Sequence, residues 1–333
     1  MTKISDSISG RRISNPVQKY VPWLYSLWKF SRPHTIVGTS LSVLGLYLIT
    51  LDLNTQIDSQ NWWNYKLINN SIIPLGITWL SCLFGNIYIV GLNQLEDIEI
   101  DQINKPDLPL ASGEYSKRQA QIIIAVTGIL ALILAAIQGK FLLGTVGISL
   151  LIGTAYSLPP IRLKRFPFWA AFCILTVRGV IVNLGLFLNF DWILSGRSLD
   201  YGLRLPAEVI MLTLFVLAFT IAIAIFKDIP DLEGDRQYNI STLTIRLGAR
   251  AVFNLSRLIL TICYLGMIGL GLVFSYTIPL KWLIITHGFA LALMFWRSAN
   301  VDLNDRVSIT AFYQFIWKLF FLEYLMFPII CFL

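Results

Sequence analysis

Long apolar runs follow one another along the chain, separated by short polar connectors, with none of the period-two alternation of half-buried strands. A helix needs about 20 such residues to cross roughly 30 Å of hydrocarbon. Nine runs fit that length: residues 34–51, 71–95, 119–138, 141–158, 167–189, 207–227, 251–275, 279–296 and 311–332. A transmembrane β-barrel is excluded, because its strands are about ten residues long and alternate. The pattern predicts an all-α, polytopic membrane protein, a bundle of about nine transmembrane helices with a central cavity opening to the cytoplasmic side. Residues 1–30 form a cytoplasmic or interfacial segment, and 31–333 the intramembrane domain.

Composition closes off the other classes. The chain is 56% hydrophobic and 14% charged, with a mean hydropathy of +0.68. A soluble protein could not hide that much apolar surface, and a disordered one would carry far more charge. Cys82, Cys173, Cys263 and Cys331 are scattered through apolar runs and read as packing residues. With only His34 and His287 beside them, any metal must be held by oxygen.

With nine spans, the N-terminus and the connectors after runs 2, 4, 6 and 8 share one side. That side holds eighteen of the 26 Lys and Arg, against five on the other. Cytoplasmic loops retain positive charge, so the N-terminus is expected in the cytoplasm. The net charge of +7 then reflects topology and anionic lipid, and no basic stretch suggests nucleic acid. Residues 1–30 lack the apolar core of a secretory signal and are short for a plastid transit peptide. Trp23, Tyr25, Trp28 and Lys29 read as an interfacial anchor.

Acidic residues are the scarce commodity, and eight of the nineteen fall in two short segments. Asn93-Gln94-Leu95-Glu96-Asp97-Ile98-Glu99-Ile100-Asp101 ends run 2, and Asp228-Ile229-Pro230-Asp231-Leu232-Glu233-Gly234-Asp235 ends run 6. If the helices continue, Asn93, Asp97 and Asp101 form one column of oxygen ligands, and Asp228, Asp231 and Asp235 another. Such columns repel themselves unless a cation relieves them. Both emerge on the cytoplasmic side and can face each other across one cavity. Each precedes a similar loop, Asn104-Lys105-Pro106-Asp107-Leu108-Pro109-Leu110 and Asn239-Ile240-Ser241-Thr242-Leu243, which suggests a weak repeat of the same orientation. This chemistry suits a diphosphate bound through Mg²⁺, a hard ion that takes a few carboxylates plus phosphate oxygens and water. Lys105, Lys164 and Lys227 are the nearby cations for the remaining phosphate oxygens. The bland alternative is a set of solvated loop charges balancing Lys and Arg. A transporter is the alternative of another class, and it calls for acids near the midplane and inverted repeats.

The pair of motifs, Asn93-x3-Asp97-x3-Asp101 and Asp231-x3-Asp235, resembles those of the UbiA-type intramembrane prenyltransferases. Within that family the likeness is to the homogentisate prenyltransferases of tocopherol synthesis. It rests on NQLEDIEIDQINKPDLPLASGE, GTAYSLPPIRLKRFPFWAAFCILTVRGVIVNLG, IAIFKDIPDLEGDRQYNISTLTIRLG and FYQFIWKLFFLEYL, which span residues 93 to 325. The resemblance implies transfer of a prenyl group, expected to be phytyl, from its diphosphate to homogentisate with loss of CO₂ and diphosphate. It implies that Asn93, Asp97, Asp101, Asp231 and Asp235 hold Mg²⁺ and diphosphate, with Asp228 contributing. It also implies the plasma or thylakoid membrane of a cyanobacterium-like cell, and no protein partner is evident. Sibling enzymes with another acceptor or chain length remain the nearest rivals. Relatives carry a Tyr-x3-Lys pattern after the fourth span, whereas here Tyr156 is followed by Pro160 at that offset, with Arg162 and Lys164 beyond. Whether Lys164 replaces that lysine stays open.

Other polar residues are weaker candidates. Arg32 stands where the first span enters the bilayer, facing a phosphate or serving as an anchor. Arg178, within the fifth span, is costly unless paired, and is expected to face the cavity and hold the acceptor carboxylate, with a structural salt bridge as the alternative. Asn183 lies five residues on, a spacing that keeps the two off one α-helical face. Gln314, Lys318 and Glu323 could bind substrate but are expected rather to bond between helices, and both histidines to pack.

Overall fold

The computed structural model describes residues 20–57, 65–196, 205–237 and 242–333. The expected loop at Asn239–Ser241 and the polar residues before Tyr20 lie outside these. Among the described residues every regular element is helical. A short helix α1 (Pro22–Phe30) precedes α2 (Pro33–Ile57), α3 (Tyr65–Glu96), the short α4 (Ile98–Asn104), α5 (Lys117–Gln138) and α6 (Lys140–Ser157). The next span has three parts: α7 (Pro167–Ile174), a π-helical segment (Leu175–Ile181) and α8 (Val182–Leu194). Then come α9 (Ala207–Phe226), the short α10 (Leu232–Gln237) and α11 (Leu243–Leu247), α12 (Ala249–Val273), α13 (Leu280–Ser298) and α14 (Arg306–Cys331).

Seven of these helices, and the three-part span as an eighth, are long and apolar enough to cross a membrane, so this is an integral membrane protein. The eighth expected span, α13, is 19 residues long and carries Lys281, His287 and Arg297, which lower its apolar character. It still belongs to the bundle, because it packs between α12 and α14. His287 is fully buried there and pairs with the buried Glu323 of α14 at 3.2 Å. That pair gives each side chain a polar partner where lipid would give none.

One large core runs through the bundle, from Leu46 and Ile49 on α2 to Phe215 and Phe219 on α9 and Phe320 and Phe327 on α14. Close helix approach supplies much of the packing, since lipid tails weaken the hydrophobic drive for association. At Gly45 of α2, a Cβ would lie 2.8 Å from the Tyr324 carbonyl oxygen of α14. Helix α1 lies outside this core and buries only Phe30, against Tyr115, while Trp23 and Trp28 stay exposed. Its Lys29 and Ser26 bond Glu114, in keeping with an anchor at the bundle's edge.

The connectors after α3, α6, α9 and α13 meet at one end of the bundle. Arg162 reaches Asp97, Lys105 reaches Asp231, and Arg306 reaches the Asn104 carbonyl. These contacts build the mouth of the cavity.

Candidate active site

Neither acidic segment continues as a straight helix, and the expectation of two regular columns is corrected here. Helix α3 stops at Glu96, and Asp97 (φ −118°, ψ 22°) stands between it and α4. Four carboxylates within six residues disfavour an unbroken helix, and Asp suits the position before a new one. The turn is tight, since the Asp101 amide still bonds the Asp97 carbonyl at 2.8 Å and the Asn93 amide group donates to Asp97 at 3.2 Å. In the second segment Pro230 has no amide hydrogen and cannot continue α9 past Phe226. The chain turns and restarts as α10, where the Asp235 amide bonds the Asp231 carbonyl at 3.1 Å.

The two segments meet through Lys105. Its Nζ lies 2.9 Å from Asp231 Oδ2 and 4.0 Å from Asp101 Oδ1. Asp97 takes two cations, Lys164 Nζ at 2.7 Å and Arg162 Nη2 at 3.2 Å. Arg32 donates to Asn93 Oδ1 at 3.3 Å and lies 3.9 Å from Asp101 Oδ2, while Lys227 pairs with Asp228 at 3.2 Å. The open role of Lys164 is thereby placed in space: it reaches the first acidic motif although the Tyr-x3-Lys spacing is absent. Arg32 and Arg162 are also the two non-glycine residues with positive φ among those described, 53° and 39°. Holding an arginine backbone there costs about 1–3 kcal/mol, and such strain collects at ligand clamps.

These groups surround a cavity of about 1870 Å³, larger than the 300–1,000 Å³ or so of a typical small-molecule pocket. All thirteen residues expected at the site line it: Arg32, Asn93, Asp97, Asp101, Lys105, Tyr156, Arg162, Lys164, Arg178, Lys227, Asp228, Asp231 and Asp235. Burial pushes the Asp101 carboxyl above the usual range, against the pull of Arg32 and Lys105. Burial, with Asp228 and Asp231 beside it, pushes Asp235 up to about 6. Burial also lowers the Lys164 ammonium, although Asp97 opposes the shift.

Among the described residues, no three Asp, Glu, His or Cys side chains converge on one point as a ready metal cage. Asp97, Asp101, Asp228 and Asp231 are matched to Lys and Arg instead. The donor set still fits a hard divalent ion, because all of it is oxygen and Mg²⁺ completes its shell with water and phosphate. Asp101 Oδ2 and Asn104 Oδ1 are buried without a hydrogen-bond donor, which leaves acceptors free at the cavity wall.

Several lining residues escaped the sequence reading. His34, expected to pack, lines the cavity with Tyr313, Gln314, Trp317 and Lys318 of α14. Gln314 and Lys318 thus stand where the substrate-binding alternative needs them, whereas Glu323 bonds between helices as expected. The five-residue spacing from Arg178 to Asn183 also misled. In π geometry the Asn183 amide group donates back to the Arg178 carbonyl at 3.2 Å, so the two are neighbours.

The chain is 50% identical over 306 residues to the homogentisate phytyltransferase of Synechocystis sp., covering 92% of this chain and 95% of that one. It is 38% identical to homogentisate phytyltransferase 1, chloroplastic, of Arabidopsis thaliana, over 95% and 78% of the two chains. The solved structure of a UbiA homologue from Archaeoglobus fulgidus bound to GPP and Mg²⁺ shares the fold, with a TM-score of 0.56 at 16% identity and coverage of 91% and 99%. The model of the UbiA prenyltransferase family matches residues 61–319. The chain belongs to the UbiA prenyltransferase family.

Proposed function

We propose that this protein is a Mg²⁺-dependent homogentisate phytyltransferase, joining homogentisate to phytyl diphosphate with release of CO₂ and diphosphate. One observation carries the reading: two acidic turns, bridged by Lys105 between Asp101 and Asp231, close the mouth of a cavity walled by apolar helices. A charged head seated at that mouth leaves its tail among apolar side chains. The acceptor and the prenyl group are argued from the near full-length likeness to the Synechocystis enzyme, and the metal from the donor set and the Mg²⁺-bound homologue.

In this reading Asn93, Asp97, Asp101, Asp231 and Asp235 hold Mg²⁺, with Asp228 contributing. When bound, the metal neutralises the diphosphate and makes it a better leaving group. Arg32, Lys105, Arg162, Lys164 and Lys227 trade their carboxylate partners for phosphate oxygens, which orients the allylic C–O bond toward the cavity. The apolar walls keep water from the allylic carbon once that bond breaks. A ring carbon of homogentisate then bonds to the allylic carbon and loses its proton, and the side-chain carboxylate leaves as CO₂ while its methylene takes up a proton. The arrangement calls for no side-chain nucleophile. Basic residues crowd the end of the bundle that holds the mouth, so that end and the N-terminus are assigned to the cytoplasmic side.

The test is incubation of membranes containing the protein with homogentisate, Mg²⁺ and phytyl diphosphate, with mass analysis of the extracted lipid. Methylphytylbenzoquinol is expected. Absence of any prenylated product with phytyl, geranylgeranyl or solanesyl diphosphate overturns the proposal.

A further inference from the structure

The fifth span changes helical geometry where it passes the cavity. Residues Leu175–Ile181 form a π-helical segment between α7 and α8, a rare feature that often marks functional positions. Side chains pin it in place. The Asn183 amide group donates to the carbonyls of Gly179 at 2.8 Å and Arg178 at 3.2 Å, and the Tyr324 hydroxyl of α14 donates to Asn183 Oδ1 at 2.8 Å. Arg178 lies inside this segment and lines the cavity. Its guanidinium carbon sits 4.8 Å from the Trp317 ring centre and 5.9 Å from that of Phe320. The His34 ring packs 4.8 Å from Trp317.

Arg178 differs from the cations at the mouth. Lys105, Arg162, Lys164 and Lys227 each pair with a motif carboxylate, and Arg32 bonds Asn93 and approaches Asp101. Among the described residues Arg178 forms no ion pair with a carboxylate. A cation–π contact offsets only part of its desolvation, and an unpaired charge in a low-dielectric site stays costly. A partner that is both an anion and a flat ring would complete the site. The carboxylate would take the planar guanidinium fork, and the ring would lie against the aromatic wall.

We infer that Arg178 binds the carboxylate of the arylacetate acceptor, with Trp317 as part of the ring's seat and the Asn183–Tyr324 pair as positioning residues for the arginine. This rests on the proposed function and adds to it the place where the acceptor is recognised, apart from the diphosphate mouth. It also gives the π turn a purpose, because an extra residue in the helix changes the direction in which Arg178 leaves it.

The experiment compares wild type, Arg178→Gln, Arg178→Lys and Tyr324→Phe, each checked for a monodisperse profile in detergent. KM is measured for homogentisate and for phytyl diphosphate, together with competitive inhibition by an arylacetate and by its uncharged amide. Arg178→Gln is expected to raise KM for homogentisate at least about tenfold, to leave KM for the diphosphate within about twofold, and to erase the preference for arylacetate over amide. Arg178→Lys should recover part of that preference, and Tyr324→Phe should weaken it in the same direction. An unchanged preference in Arg178→Gln overturns the inference, read from binding of the arylacetate and its amide where turnover is lost. If wild type itself makes no prenylated homogentisate, the functional proposal fails first, so the two failures are distinct.

Discussion

Asp97 neutralises two cations at once, Lys164 at 2.7 Å and Arg162 at 3.2 Å. Removing its carboxylate takes away a metal ligand and leaves two half-buried charges without their partner, a costly state. Asp97→Ala, and Asp231→Ala on the facing segment, should therefore lower turnover about 10²-fold or more while the protein still inserts. Membrane fractionation with an activity assay checks both, and full activity in either variant removes the metal-site reading. At this scale the acids were legible because charge is scarce and they recur at helical spacing. Lys164 is legible as a nearby cation, but its contact with Asp97 is not, because that depends on how the chain reverses after Ser157, through Pro159, Pro160 and the left-handed Arg162. His34 and Trp317 were hidden for another reason: in a chain with so many aromatic residues, a ring facing the cavity looks like one facing lipid.

Elements were read well where apolar length decided them and poorly where local geometry did. Nine spans follow from run length, but nothing in the sequence pattern announces the π segment, since one extra residue in a helix leaves no periodic trace over so short a stretch. The breaks at Asp97 and Pro230 leave the spacing of the acids intact, so the spacing alone reads as two continuous helices. Helix contacts carry their own prediction. Gly45 lies outside the cavity lining, and an added side chain there meets the Tyr324 backbone, which cannot move as a rotamer could. Gly45→Val should force α2 and α14 apart at a cost of about 1–3 kcal/mol. The expected result is a lower melting temperature in detergent, with KM for phytyl diphosphate near wild type at low temperature. An unchanged melting temperature would show that the bundle absorbs the displacement.

For the molecule as a whole, the mouth is a balance of opposed charges whose setting depends on pH. Burial and neighbouring carboxylates raise Asp235 to about 6, and burial raises Asp101. An acid whose pKa is raised on folding makes the folded state bind more protons than the unfolded one. Stability therefore falls as pH rises from the ordinary Asp value of 3.8 through about 6. At neutral pH the folded protein holds carboxylates that repel one another, and a bound divalent ion would relieve that repulsion. Mg²⁺ should then raise the melting temperature of the detergent-solubilised protein at pH 7.5, by an amount set by its concentration relative to Kd, about 2.7 kcal/mol at a hundredfold excess. Below pH 6 protons compete for Asp235 and the increment should shrink, whereas Asp235→Asn should flatten this dependence while lowering the increment at pH 7.5. Thermal melts with Mg²⁺ or EDTA at pH 5 and 7.5 decide the matter without any turnover. An equal increment at both pH values would separate the metal from these acids, and no increment at either would mean that the carboxylates and their Lys and Arg partners are sufficient for one another until the diphosphate arrives.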